Sequence, residues 1–231
     1  MISPLSPIKK MDSFPSSNLP EVSCRLVWVT PDAEEMIAYL ARVSNPTNQN
    51  SKETAPKLIR YLIKHSHWSP FEMATMCVEI NTTRAIAQQI IRHRSFSFQE
   101  FSQRYSDVGQ LGDAVIPHLR RQDKSNRQNS INDLTQDQVG GFYRRISELF
   151  EDSEHLYREM VSAGIAKECA RAVLPLNTRT RLYMSGTVRS WIHYLDIRAS
   201  SETQLEHRQI AEDVLSIFEE EMPDVYEAAF T

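Results

Sequence analysis

Gln-Gln-Ile-Ile-Arg-His-Arg-Ser-Phe-Ser-Phe-Gln-Glu-Phe-Ser-Gln-Arg-Tyr, residues 88–105, is the stretch on which the reading of this 231-residue chain turns. It sets Arg92, His93, Arg94, Glu100, Ser102 and Arg104 among Phe96, Phe98, Phe101 and Tyr105. A solvated helix face has no need of four aromatic rings. The mixture points to a partly buried polar site in which rings exclude water or stack on a planar ligand while guanidinium groups hold an anion. An Arg–Glu ion-pair network laid over an aromatic core is the plainer alternative, and composition alone leaves both open.

The segment enters from a helix. From Thr83 to about Arg92, Ile86 and Ile90 form one stripe with Ala87 and Ile91 beside it. Upstream, Glu72 to Asn81 alternates like a strand, and Lys52 to His65 carries Ala55, Leu58, Ile59 and Leu62 at helical spacing. Cys24 to Val29 reads as a first strand. Thr30-Pro31-Asp32 reads as an N-cap followed by Pro in the first turn, opening a helix whose apolar face is Met36, Ile37, Leu40 and Ala41.

Downstream, residues 123–133 form a polar loop. A long helix follows, with Phe142, Ile146, Leu149, Ser153, Leu156 and Met160 at alternating spacings of four and three and Gly164 at the C′ position. A short helix over Ala166–Leu174 ends at Pro175, and Arg179–Ser185 alternates like a strand. Helices over Thr187–Ala199 and Thr203–Met222 complete the pattern, the second closed by Pro223. The expected class is α+β, mainly helical with a small, mostly antiparallel sheet. Residues 1–20, rich in Pro and Ser, are expected to be a flexible extension, and residues 21–231 a single domain.

Composition narrows the functions. The chain is 41% hydrophobic and 24% charged with net charge −4, so it lacks the basic footprint of a protein that coats DNA. Yet 19 Arg stand against 7 Lys. Arg suits bidentate recognition of phosphate and carboxylate, so the excess signals either concentrated anion sites or surface ion pairs. With 6 Gly there is no G-x-G-x-x-G fingerprint and no P-loop. Cys24, Cys77 and Cys169 have no disulfide or zinc spacing. No apolar run reaches the roughly 20 residues that span a bilayer and no secretory apolar core stands at the N-terminus, so a cytoplasmic location with no membrane contact is expected.

The central stretch resembles a known family. Arg92-His93-Arg94, Ser97, Ser102 and Arg104 match the signature R-H-R-x2-S-x4-S-x-R of the flavin-dependent thymidylate synthases. Six fixed positions coincide by chance at about 10⁻⁸ per start site. Ala41-Arg42-Val43-Ser44, His67-Trp68-Ser69-Pro70-Phe71-Glu72, Ala170 to Leu176 and Leu195-Asp196-Ile197-Arg198 are similar to further pieces of that family, in its order. The resemblance covers roughly Leu26 to Phe230.

The resemblance implies a family-type α+β fold and conversion of dUMP to dTMP, with 5,10-methylenetetrahydrofolate as carbon donor, FAD as redox carrier and NADPH as reductant. It implies a homotetramer whose active sites are shared between subunits. By motif, Gln89, Arg92, Glu100, Ser102, Gln103 and Arg104 are expected to contact dUMP, with Arg171 adding a contact. Ser69, Arg92, His93, Arg94, Glu100, Thr187, Arg189 and His193 are expected to face FAD. Family members often carry Asn where this chain has Thr187 and His193. Arg198 matches the arginine that binds uracil and stabilises its ionised N3, making it the catalytic candidate.

Those roles make chemical sense. Removing the N3 proton raises electron density at C5, and a guanidinium stabilises the resulting anion without acting as a base. A cysteine nucleophile has little support, since no cysteine falls in the main motif. Ser102 is read as a binding hydroxyl, because a nucleophilic serine needs an adjacent base and only His93 is near in sequence. Arg189 and His193, four apart, share a helical face. His65, His67 and Glu72 could be drawn as a metal cluster, but the spacing is loose and no metal is expected. Arg120 to Arg127 reads as a solvated charge run. The rival function is a single-stranded nucleic-acid module using the same Arg and aromatic residues, and a metal-dependent hydrolase stands behind it.

Overall fold

The computed structural model describes residues 22–127 and 129–231, so the expected N-terminal extension lies outside the described residues. In chain order the elements are β1 (Ser23–Val29), α1 (Ala33–Ala41), α2 (Ala55–Lys64), β2 (Thr75–Thr83), α3 (Arg84–Ile90), β3 (Ser97–Glu100), β4 (Arg121–Gln122) and β5 (Ser130–Ile131). They continue with α4 (Gln136–Ser162), α5 (Lys167–Ala170), β6 (Arg179–Thr187), α6 (Val188–Arg198), α7 (Leu205–Glu221) and α8 (Pro223–Phe230). The α+β expectation is met. Four strands lie in the order β1-β2-β6-β3 and every neighbouring pair is antiparallel.

Alternation explains the sheet. Met76, Val78 and Ile80 of β2 and Leu182 and Met184 of β6 point to one face and are fully buried with Trp191, Tyr194, Ile210, Val214 and Phe218 of α6 and α7. On the other face Glu79 lies opposite Arg25 and Tyr183, and Arg25 donates to its carboxylate at 2.7 Å. That bond, against the opposing effect of burial, holds the Glu79 carboxyl down to about 2. The α6 indole is tied to the sheet, Trp191 Nε1 donating to Met76 O at 3.0 Å.

Helix ends follow the local chemistry in most places. Thr135 and Gln138 form a capping box at the start of α4. At its other end Gly164 has φ 85°, as a C′ residue requires, and Ile165 N–H returns to Met160 O at 2.9 Å while Gly164 N–H bonds Val161 O at 3.0 Å. Thr187 caps α6 by accepting from Ser190 N–H. Thr30, expected as a cap, instead extends the edge of the sheet: its N–H donates to Thr75 O and its hydroxyl accepts from Thr75 N–H, each at 2.9 Å. The cap position falls to Asp32 in a left-handed conformation with no side-chain bond. Met36 is correspondingly exposed, and Ala33 and Ala38 share the buried face with Ile37.

Three further expectations change. The stripe foreseen along α4 is divided: Ile146, Ser153 and Met160 are half-buried, whereas Phe142, Leu149 and Leu156 are exposed, and the fully buried positions are Val139, Tyr143 and Tyr157. Tyr143 Oη accepts from Leu119 N–H at 3.0 Å and Glu154 from Ala114 N–H at 2.9 Å, so polar contacts fix which side of α4 meets the body. Pro223 does not simply close the last helix but opens α8 at its first position. Arg120 is not part of a solvated run, since its side chain is only 9% exposed in an ion pair with Glu206. Among the described residues no helix is long and apolar enough to cross a membrane.

Candidate active site

The turn after α3 is anchored by Phe96. Its ring is buried edge-on against Trp191 at 4.7 Å and Tyr194 at 5.8 Å, and its N–H returns to His93 O at 3.3 Å. That seats His93 against Tyr194 with ring centroids 4.9 Å apart and planes at 83°. Arg198, in the last turn of α6, donates from Nε to His93 Nε2 at 2.8 Å. Burial first, then the neighbouring Arg198 and His193, hold the His93 imidazole down to about 4. A neutral ring that accepts at Nε2 carries its proton on Nδ1. Sequence reasoning placed both residues but not their bond.

Behind them His207 is fully buried, with Nε2 3.1 Å from Tyr194 Oη. Burial, with Arg198 and His93, holds it down to about 3. Both histidines are therefore neutral in the fold and bind a proton near pH 6.5 when the chain unfolds. Between those values the unfolded state holds more protons, so stability is full above about pH 6.5 and falls with acid. The thermal midpoint is expected to drop between pH 7 and pH 5, where ordinary carboxylates scarcely titrate. A flat midpoint across that window contradicts the neutral pair.

Gln89, Arg92 and Arg198 line an open cleft of about 700 Å³ together with Gln204. Arg92 and Arg94 are exposed and neither side chain has a hydrogen bond or ion pair among the described residues. A second cleft, of about 650 Å³, lies over the N-terminal half of α6 between Trp68, Glu72, Thr187, Arg189 and His193. Glu72 receives Arg189 Nη1 at 2.7 Å and the Thr187 hydroxyl at 2.8 Å. The Arg189 bond, against the opposing effect of burial, lowers the Glu72 carboxyl. Glu72 thus belongs with Arg189 rather than with His65 and His67, whose exposed rings pack with Tyr61. Ser69 opens the 3₁₀ turn that carries Glu72.

The remaining candidates sit elsewhere. Glu100, at the end of β3, accepts from Arg84 at 3.3 Å and from the Thr180 hydroxyl at 2.9 Å. Arg84 begins the helix that ends beside Arg92, about 12 Å away at 1.5 Å per residue. Beyond β3, Arg104 N–H bonds Ser102 Oγ at 3.4 Å and the Arg104 guanidinium pairs with Glu168 of α5 at 3.4 Å. Gln103 is 4% exposed, and its Nε2 has no partner among the described residues. Arg171 follows α5 three residues after Glu168, with no side-chain hydrogen bond or ion pair among the described residues. One chain therefore does not gather the candidates into one cavity: Gln89, Arg92 and Arg198 line the first cleft, Thr187, Arg189 and His193 the second, and Glu100, Ser102, Gln103, Arg104 and Arg171 line neither. The rings of the motif do not form an exposed stacking row: Phe96 is 8% exposed and Phe98 packs on the core, which disfavours the single-strand alternative.

A sequence model described as thymidylate synthase complementing protein matches residues 25–224. The chain belongs to this family, that of the flavin-dependent thymidylate synthases. Within the family it is 47% identical over 214 residues to a probable flavin-dependent thymidylate synthase of Paramecium bursaria Chlorella virus 1, covering 92% of this chain and 98% of the relative. It is 52% identical over 192 residues to the flavin-dependent thymidylate synthase of Synechocystis, covering 83% and 87%. In structure it is similar to the UMP/dUMP methylase PolB of Streptomyces cacaoi bound with 5-Br dUMP, with TM-score 0.79, 28% identity, and coverage of 90% and 94%. A second structure of that methylase holds 5-Br UMP, again with TM-score 0.79. The family match runs from β1 to the start of α8 and so contains both clefts and the remaining candidates.

Proposed function

We propose that this chain methylates dUMP to dTMP, taking the carbon from 5,10-methylenetetrahydrofolate, with FAD as redox carrier and NADPH as reductant. The observation that carries the reading is Arg198: a permanent cation held through Nε by a neutral histidine, at the wall of a cleft shared with Gln89 and Arg92. Its Nη groups have no partner among the described residues. They are suited to hold the uracil edge and stabilise an anion at N3. Gln89 and Arg92 contact the same nucleotide. Arg104, Ser102 and Arg171 take its phosphate, with Gln103 and Glu100 completing the contacts.

The second cleft fits a flavin. It brings Trp68 and the N-terminal turn of α6 to one cleft, where the positive end of the helix dipole and Arg189 favour a pyrophosphate. Thr187, Arg189, His193 and Ser69 hold the group there, while His93, Arg92, Arg94 and Glu100 meet it from the motif. When bound, FAD carries the reducing equivalents the methylation consumes. Glu72 orients Arg189, and Tyr194 orients His93.

The separation of the candidate residues supports an assembled site. A complete site draws on more than one chain, which supports a homotetramer with shared active sites. The exposed Phe142, Leu149 and Leu156, seven residues apart along α4, are suited to a contact between copies. A cytoplasmic enzyme is consistent with three free cysteines.

The test is direct. Purified protein is expected to show oxidised-flavin absorbance and to transfer labelled carbon from methylenetetrahydrofolate to dUMP, with activity lost when folate or NADPH is omitted or the bound FAD is stripped. Protein that stays colourless and takes up no added FAD overturns the reading.

A further inference from the structure

Gln89 is the cleft end of a hydrogen-bonded chain that runs into the body of the protein. Its Nε2 donates to Gln204 Oε1 at 2.7 Å, and Gln204 Nε2 donates to Glu206 Oε2 at 2.9 Å. Both oxygens of Glu206 are gripped by Arg120, with Nη1 at 2.7 Å and Nη2 at 2.9 Å, where the Arg120 and Glu206 side chains are 9% and 12% exposed. Arg120 Nε is fixed in turn by Ser130 Oγ at 2.8 Å. The chain joins α3, the turn before α7, the first turn of α7 and the segment leading into β4, positions far apart in sequence.

Chemistry fixes its direction. The two ends of a carboxamide have nearly the same shape, but an ionised carboxylate can only accept. Burial pushes the Glu206 carboxyl up, and the bonds from Arg120 and Gln204 outweigh it, leaving the group lowered and ionised at neutral pH. Gln204 must therefore turn its NH2 towards Glu206 and its carbonyl towards Gln89. Gln89 must turn its NH2 towards Gln204, which leaves Gln89 Oε1 as an acceptor for the cleft.

We propose that Gln204 and Glu206 are positioning residues: the Arg120-held carboxylate sets the polarity of a Gln204–Gln89 relay, so that Gln89 presents an acceptor to a hydroxyl of the bound nucleotide. The inference rests on dUMP as the ligand. The hydrogen-bond donors of dUMP are N3–H and the 3′-hydroxyl, and Arg198 is assigned to N3. The hydroxyl is thus the group that Gln89 Oε1 takes. An unfixed amide would present N–H or oxygen indifferently and lose that selectivity.

The experiment compares dUMP with 2′,3′-dideoxyuridine monophosphate, which lacks the 3′-hydroxyl, in the full-length flavin-loaded protein. The unaltered protein is expected to bind dUMP about fivefold more tightly, the worth of one neutral hydrogen bond. Gln204→Met, a change at an exposed position, is expected to bring the two ligands within about twofold of each other. It raises the KM for dUMP while kcat, flavin content and thermal midpoint stay near those of the parent. Glu206→Gln, which lets the relay reverse, is expected to lose the same discrimination, with its midpoint measured alongside because Arg120 is left less well paired. Gln204→Met carries the test alone if that variant does not fold. Full discrimination retained in Gln204→Met, or none in the unaltered protein, overturns the relay. Failure of the unaltered protein to bind dUMP at all overturns instead the substrate reading on which the relay stands.

Discussion

Arg198→Lys is expected to lower kcat for dTMP formation by at least about 100-fold, the scale of losing one donor aimed at a developing anion. Arg198, which lines the cleft, has two proposed tasks that need separate nitrogens: Nε holds His93 Nε2 at 2.8 Å, and the Nη pair is left for the uracil. Lysine has one nitrogen and no planar fork, so it can keep the charge but cannot do both. Most of the flavin content is expected to be retained, because Thr187, Arg189 and His193 hold it from the other cleft and only His93 among its proposed contacts loses a bond to Arg198. The KM for dUMP is expected to move less than kcat, since an interaction made mainly with the anion acts on the chemical step. Absorbance and steady-state kinetics on one preparation decide it. Turnover within about threefold of the parent, with flavin intact, removes Arg198 from the mechanism.

Long periodic elements are legible in the sequence. The Ala55, Leu58, Ile59, Leu62 spacing marked α2, and Thr187 marked the start of α6. Local signals were weaker where two outcomes share one residue. Pro223 ends one helix and opens the next, and only the packing of Val225 into the core distinguishes the two. β3 was invisible because its four residues alternate Ser and Gln with Phe and Glu, and the ladder with β6 rather than propensity makes them a strand. On α4 the heptad pattern was real, but Tyr143 and Glu154, which bond the chain at Leu119 and Ala114, decide which half of it is covered.

The site divides in the same way. The family resemblance names Gln89, Arg92, His93 and Arg198, and the fold brings His93 to Arg198 although 105 residues separate them. It could not name Gln204, Glu206 or Arg120, because a carboxylate and an arginine 86 residues apart look like ordinary surface charges until both are buried. The arginine excess resolves accordingly. Arg25, Arg60, Arg120 and Arg189 are paired with carboxylates, whereas Arg92, Arg94 and Arg171 have no acidic partner among the described residues, which leaves them available to a ligand.

Gly186→Ala is expected to damage fold and site together. Gly186 pairs with Met76 in the centre of the sheet and does not have a left-handed φ, so the requirement for glycine is one of space. An alanine Cβ there would lie 2.6 Å from Phe96 Cε1 and closer still to Cδ1. The ring cannot retreat, because Trp191 and Tyr194, both fully buried, stand at 4.7 Å and 5.8 Å from it. Overpacking of this kind costs about 1–3 kcal/mol. In a chain of this size each kcal/mol lowers the thermal midpoint by about 2–4 °C. Displacing Phe96 also moves the turn it anchors, so His93 leaves its place between Tyr194 and Arg198 and turnover falls with stability. Phe96→Leu, which removes ring volume at the clash, is expected to restore part of the midpoint in the double variant although it destabilises on its own, a non-additivity of contacting residues. A midpoint for Gly186→Ala within about 1 °C of the parent would show that the ring has room to give, and that the His93 turn is held by something other than Phe96.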